Sequence, residues 1–155
     1  RTSLPMGSVR FTERHGDDVA ASIEAARAAL PDLAPKEAVG VASTITTFAA
    51  LDLGLDEYER ERVHGHVLTR DGAFAQLERL AALPLDERRR VPALEPERAP
   101  VIVAGGAILV AILDAYGLDA IRVSERDILD GAAFAAAELP EPEEGAAPPG
   151  AYTCC

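Results

Sequence analysis

A chain of 155 residues, 48% of them apolar, has room for one ordinary domain with a single buried core. Its formal net charge of −11 excludes nonspecific attachment to nucleic acid or to an anionic membrane surface, since both need a basic footprint. Aromatic residues make up 5% and tryptophan is absent, so the core must be built from Ala, Val, Leu and Ile, a composition suited to helices packed on a sheet.

The chain opens at Arg1 without a methionine and enters "SLPMGSVRFTE", which reads as the middle of a structured unit. In "GSVRFTE", Val9 and Phe11 alternate with Arg10 and Thr12, which predicts a half-buried first strand over residues 6–13. Asp17 is placed to cap a helix with the apolar stripe Val19, Ile23, Ala26 and Leu30, ended by Pro31. "AVGVA", 38–42, reads as a short strand. Ser43 or Thr44 can then cap "TITTFAALDL", and Gly54 sits where a left-handed residue closes a helix.

From Leu55 to Pro100 the pattern is helical and charged, with Asp71 as cap for a helix carrying Phe74, Leu77 and Leu80, and "PLDERRR" as a short amphipathic turn. The run from Val101 to Val103 predicts a strand, the diglycine Gly105–Gly106 follows, and an apolar helix runs to Gly117. "AIRVS" predicts another strand, and "SERD", 124–127, has the spacing of a capping box before a last helix in "ILDGAAFAAAEL". Residues 139–155 are rich in Pro, Gly, Ala and acid and read as a disordered tail. Strands alternating with helices predict an α/β fold, its pairing mainly parallel after the first strand.

The two cysteines, Cys154 and Cys155, are adjacent at the end, which provides neither a disulfide framework nor a zinc spacing. No run reaches about 18 consecutive apolar residues and no basic stretch precedes an apolar one near the start. The expectation is a cytoplasmic protein without a signal peptide or membrane span.

Two segments invite a ligand. Gly40, Val41, Ala42, Ser43 and Thr44 put small and hydroxylated residues where a strand feeds a helix, an arrangement that leaves backbone N–H groups free for a phosphate. The plainer alternative is that Gly40 and Ala42 let helix and sheet pack closely. "VAGGAIL" poses the same choice. His64 and His66 are poorly spaced for a metal pair on a helix, and Arg88, Arg89 and Arg90 read as a solvated helical face before a polyanion site.

Five blocks occur in order: "SLPMGSVRFTER", "VGVASTITTFAALDLGL", "VHGHVLTR", "ERRRVPALEPERAPVIVAGGAIL" and "IRVSERDILDG". Together they resemble the C-terminal half of the Ppx/GppA phosphatase family, the exopolyphosphatases and guanosine pentaphosphate phosphohydrolases. The resemblance implies an actin-like, ribonuclease H-like fold of two α/β domains, of which residues 1–138 form part of the second, lacking its N-terminal strands, with helices on a mixed sheet. It implies magnesium-dependent hydrolysis of terminal phosphoanhydride bonds in polyphosphate or guanosine pentaphosphate. "GVAST" matches the family's "GVAGT" loop on the nucleotide side, with Ser43 in place of glycine, and Arg10 is carried by a family block and can face the cleft. Ala104, Gly105, Gly106 and Ala107 match the helix crossing between the two domains.

The family's first phosphate loop, of the kind "DIGTNS", its second, of the kind "DIGGGS", and its general-base glutamate have no counterpart here, and neither do ligands for the magnesium. The chain alone is therefore expected to be inactive, its partner being the N-terminal half or a second copy. The competing reading is a noncatalytic module that keeps the 40–44 loop and pairs through a free strand edge.

Overall fold

The structure, a computed structural model, describes residues 3–137. The chain divides into two units, Arg1–Glu125 and Arg126–Cys155. The proposed tail, 139–155, with Cys154 and Cys155, lies outside the described residues.

In the first unit, α1 (Ser8–His15) and α2 (Val19–Ala29) lead to β1 (Val39–Val41), α3 (Ser43–Asp52) and the single turn α4 (Arg60–Val63). Then come β2 (Val67–Thr69), α5 (Arg70–Ala82), the turn α6 (Leu85–Arg88), a 3-10 turn at Pro96–Arg98, α7 (Ile102–Ala115) and β3 (Ala120–Ser124). The second unit holds α8 (Ile128–Ala137).

The sheet has the order β1-β3-β2, β1 parallel to β3 and β2 antiparallel to it. Val39 pairs with Arg122 and Val41 with Ser124, while Leu68 pairs with Ile121. Gly40, Leu68, Ile121 and Val123 are buried, whereas Val39, Val41, Val67 and Arg122 are exposed on the opposite face. Alternation along each strand thus covers one face of the sheet with helices.

The middle of the unit is α7, whose residues 102–107, 109–111 and 113 are all buried. A helix apolar on every side must be wrapped by others, and α1, α2, α3 and α5 all pack on it. Its diglycine permits the approach of α3. A Cβ on Gly106 would lie 2.2 Å from Phe48 Cζ, and one on Gly105 would lie 2.7 Å from Thr44 Oγ1.

Three expectations fail for identifiable reasons. Residues 8–15 form a helix, not a strand: two alternations are too few to separate a period of two from one of 3.6. Here Phe11 alone is buried, edge-on to His15 at 5.5 Å, and Thr12 Oγ1 donates to the Ser8 carbonyl at 2.9 Å. Val101–Val103 is not a strand either, because the 3-10 turn runs straight into α7, and a short apolar run does not by itself distinguish a buried strand from a buried helix. The strand β2 lies inside the stretch read as helical, where the single buried residue Leu68 gives no period.

The caps also move. Asp18, not Asp17, accepts from the Ala21 N–H, and Thr69, not Asp71, accepts from the Gly72 N–H. The start of α8 is closed by Asp127, whose Oδ1 accepts from the Leu129 N–H at 2.7 Å while Asp130 Oδ2 accepts from the Asp127 N–H at 2.9 Å. That is the reciprocal geometry of a capping box, three residues after Ser124. Gly54 (φ 64°) and Gly117 (φ 62°) take the left-handed conformation their positions called for.

Candidate functional site

The loop from β1 to α3 turns on Ala42. Its backbone, at φ 68° and ψ 168°, occupies a region that side-chain-bearing residues rarely enter and that costs on the order of 1–3 kcal/mol. Ala42 itself stands at the cap position, so neither Ser43 nor Thr44 caps the helix. Its carbonyl accepts from Ile45 and Thr46, at 3.1 and 3.2 Å, and the N–H groups of Ser43 and Thr44 come before the first intrahelical donor. These two amides sit at the positive end of the α3 dipole.

A cation stands beside them. Arg98, at the end of the 3-10 turn, donates through Nη1 to Ser43 Oγ, and its Nε donates to Glu95 Oε2 at 2.8 Å. Sequence reading overlooked Arg98, which lies 55 residues from Ser43 in the chain. Only the fold brings the proline-rich "EPERAP" turn to the end of α3.

Gly40 is buried, and a Cβ there would lie 2.7 Å from Ile45 Cδ1 and 2.8 Å from Ile121 Cδ1, so this glycine serves close packing. A cleft of about 330 Å³ opens next to it, reaching from Ser8 past Val41, Ala42, Ser43 and Thr44 to Gly105. None of its lining residues is an acid or a base. Such a wall can orient an anion through backbone and hydroxyl groups, and it offers no group to accept a proton from water.

Arg10 is exposed and does not line this cleft. It follows Ser8, which does, by two residues, about 200° round the helix. Ala104 and Ala107 are buried at 1% and 0% exposure, Ala104 against Phe11 and Ala26. Of the four residues 104–107, Gly105 reaches the cleft, against Thr44 and Ser8.

His64 and His66 go separate ways: His66 Nε2 lies 2.8 Å from Asp52 Oδ2, and His64 Nδ1 accepts from the Glu125 N–H at 3.1 Å. Among the described residues no three histidines, cysteines or carboxylates converge. Among the described residues no helix is long and apolar enough to cross a membrane. Arg88 leaves the charged face where the sequence had placed it and is 2% exposed, bound to Asp17. Tyr58 donates to Glu125, and burial, followed by that hydrogen bond, pushes its phenol up to about 12.

These features can be set against known proteins. Residues 1–138 match the Ppx/GppA phosphatase family. Exopolyphosphatase 2 of Mycobacterium tuberculosis is 32% identical over 154 residues, an alignment covering 87% of this chain and 48% of that protein. The solved Aquifex aeolicus PPX-GPPA enzyme superposes with a TM-score of 0.80 at 30% identity, covering 86% of this chain and 48% of its own. An exopolyphosphatase from Cytophaga hutchinsonii, at 18% identity, shares the fold with a TM-score of 0.74. The chain spans about half the length of these relatives, and it belongs to the Ppx/GppA phosphatase family.

Proposed function

We propose that this chain supplies one wall of a phosphoanhydride hydrolase acting on polyphosphate or guanosine pentaphosphate in the cytoplasm. Residues 1–138 make up part of the second domain of an actin-like, ribonuclease H-like pair. The observation that carries the reading is the strained Ala42, which leaves the amides of Ser43 and Thr44 open at the end of α3 with the Arg98 guanidinium beside them.

In such a reaction water attacks the terminal phosphorus, the bond to the bridging oxygen breaks, and orthophosphate leaves. Most of the catalysis is positioning and charge stabilisation around the phosphoryl oxygens. The loop 40–44 and Arg98 hold one part of the polyanion, and α7, through Gly105, keeps α3 in place behind them. Magnesium would neutralise phosphate charge in the complete enzyme. The family glutamate that orients water has no counterpart in this cleft, so the N-terminal half must bring it.

The test is phosphate release from polyphosphate and guanosine pentaphosphate with magnesium, for the chain alone and for the chain mixed with a separately produced N-terminal half of the Aquifex relative. Activity is expected only in the mixture, and Arg98→Ala is expected to lower it by about tenfold or more. Release by the chain alone overturns the reading. The second reading, a noncatalytic interaction module, draws support from the cleft wall without an acid or base; it predicts that the halves associate and stay silent.

A further inference from the structure

Arg98 is held from two directions. It closes the 3-10 turn Pro96–Arg98, where its N–H donates to the Glu95 carbonyl at 2.9 Å, and its own carbonyl accepts from the Val101 N–H at 3.0 Å on the way into α7. Side chains three residues apart eclipse in a 3-10 turn, so Glu95 and Arg98 stand one above the other and Nε donates to Oε2 at 2.8 Å. That bond fixes the near end of the guanidinium. Ser43 fixes the far end, its Oγ accepting from Nη1.

Ser43 is itself an anchored point. It is the first residue of α3, and its carbonyl accepts from Oγ1 of the buried Thr46 at 3.4 Å. A hydroxyl, unlike a carboxylate, holds a guanidinium without cancelling its charge. Both Nη2 donors and the second Nη1 donor are unpartnered among the described residues, and the Arg98 side chain is 38% exposed. Arg88 is the contrast: carbonyls and Asp17 take all of its N–H groups, which leaves none for a ligand.

We propose that Ser43 is a positioning residue: its hydroxyl holds the Arg98 guanidinium beside the Ser43 and Thr44 amides, where the unpartnered Nη donors form a fork for the oxygens of a polyphosphate segment. Ser43 stands where the family loop carries glycine, which has no hydroxyl, so this hold belongs to the present chain. Fixing a long side chain in its binding rotamer beforehand removes the cost of ordering it when the ligand arrives. Ser43 therefore tightens binding of a part of the substrate that does not react, which lowers KM and leaves kcat alone. The inference deepens the phosphohydrolase reading and rests on it for the ligand; the hold on Arg98 is measured without it.

NMR on the labelled 155-residue chain, with no ligand present, tests the hold. The Nη1 and Nη2 signals of Arg98, identified by their loss in Arg98→Lys, are expected to be separate. In Ser43→Ala they are expected to merge as the guanidinium turns about tenfold faster or more, with the melting temperature unchanged, and in Ser43→Thr, which keeps the hydroxyl, to stay separate. In the mixture with the N-terminal half of the Aquifex relative, Ser43→Ala is expected to raise KM for polyphosphate about tenfold with kcat within about twofold, and Ser43→Thr to restore it. Merged signals in the unaltered chain, separate signals that persist in Ser43→Ala, a fall in kcat at unchanged KM, or a threonine variant that behaves like alanine overturns the proposal. A mixture that releases no phosphate overturns the phosphohydrolase reading by itself, and the Nη signals still decide whether Ser43 holds Arg98.

Discussion

The guanidinium of Arg88 meets the carboxylate of Asp17 across 71 residues of chain, Nη2 to Oδ2 at 2.8 Å and Nη1 to Oδ1 at 3.2 Å. The remaining donors go to the carbonyls of Leu80, Leu83 and Ala99, so one buried cation ties the α1–α2 connection, the end of α5 and the start of the approach to α7. A buried charge is tolerated only when paired and hydrogen-bonded.

Arg88→Ala is therefore expected to destabilise the protein by roughly 3 kcal/mol, since it strips the Leu83 and Ala99 carbonyls of their guanidinium donors, leaves the Leu80 carbonyl with the Leu83 N–H alone and unpairs Asp17. Asp17→Asn is expected to cost less, about 1 kcal/mol, because Asp17 is half exposed and the carbonyl contacts survive. Urea denaturation of both variants checks the order. Equal losses would mean that the ion pair, rather than the carbonyl cage, holds the site.

At Gly106 the issue is space. Adding a methyl 2.2 Å from Phe48 Cζ forces the ring to move, and Gly106→Ala is expected to cost about 1–3 kcal/mol by overpacking. The double variant with Phe48→Leu is expected to recover part of that loss, a coupling that a thermal melt of all four species in the cycle reveals. Additive losses would place the fault in the helix backbone instead.

For Ala42 the sign reverses. Glycine adopts φ 68° without a steric penalty, so Ala42→Gly is expected to raise stability by about 1 kcal/mol, and Ala42→Val to lower it. Denaturation midpoints decide the matter, and a destabilised glycine variant would show that the strain has been compensated locally.

Tyr58 gives a pH dependence at the alkaline end. Its folded-state value, raised to about 12 from 10.0 first by burial and then by the bond to Glu125, lies above the unfolded one. The proton is thus held more tightly in the folded state, and the stability it contributes is complete below pH 10 and lost as the pH climbs toward 12. Absorbance titration of phenolate is expected to show one late tyrosine that disappears in Tyr58→Phe, whose stability should fall less between those limits.

Where spacing repeats, the chain declares its own structure. Val19, Ile23 and Ala26 recur at helical intervals over eleven residues of α2, "VGV" and "AIRVS" are bounded β-branched runs, and the five blocks in order marked the family. Short segments were less decisive: Phe11 and Leu68 are single buried residues, and one buried position fits a strand or a helix equally well. The site divides along the same line. The candidate residues 40–44 are contiguous, and small residues at the end of a strand are a local signal that sequence alone can offer. The partnerships of Ser43 with Arg98, Arg88 with Asp17 and Gly106 with Phe48 each span tens of residues. Only tertiary structure could decide them, because whether a charge is solvated or buried, and whether a glycine is idle or filled against a ring, depends on which distant surface the packing of the core brings to it.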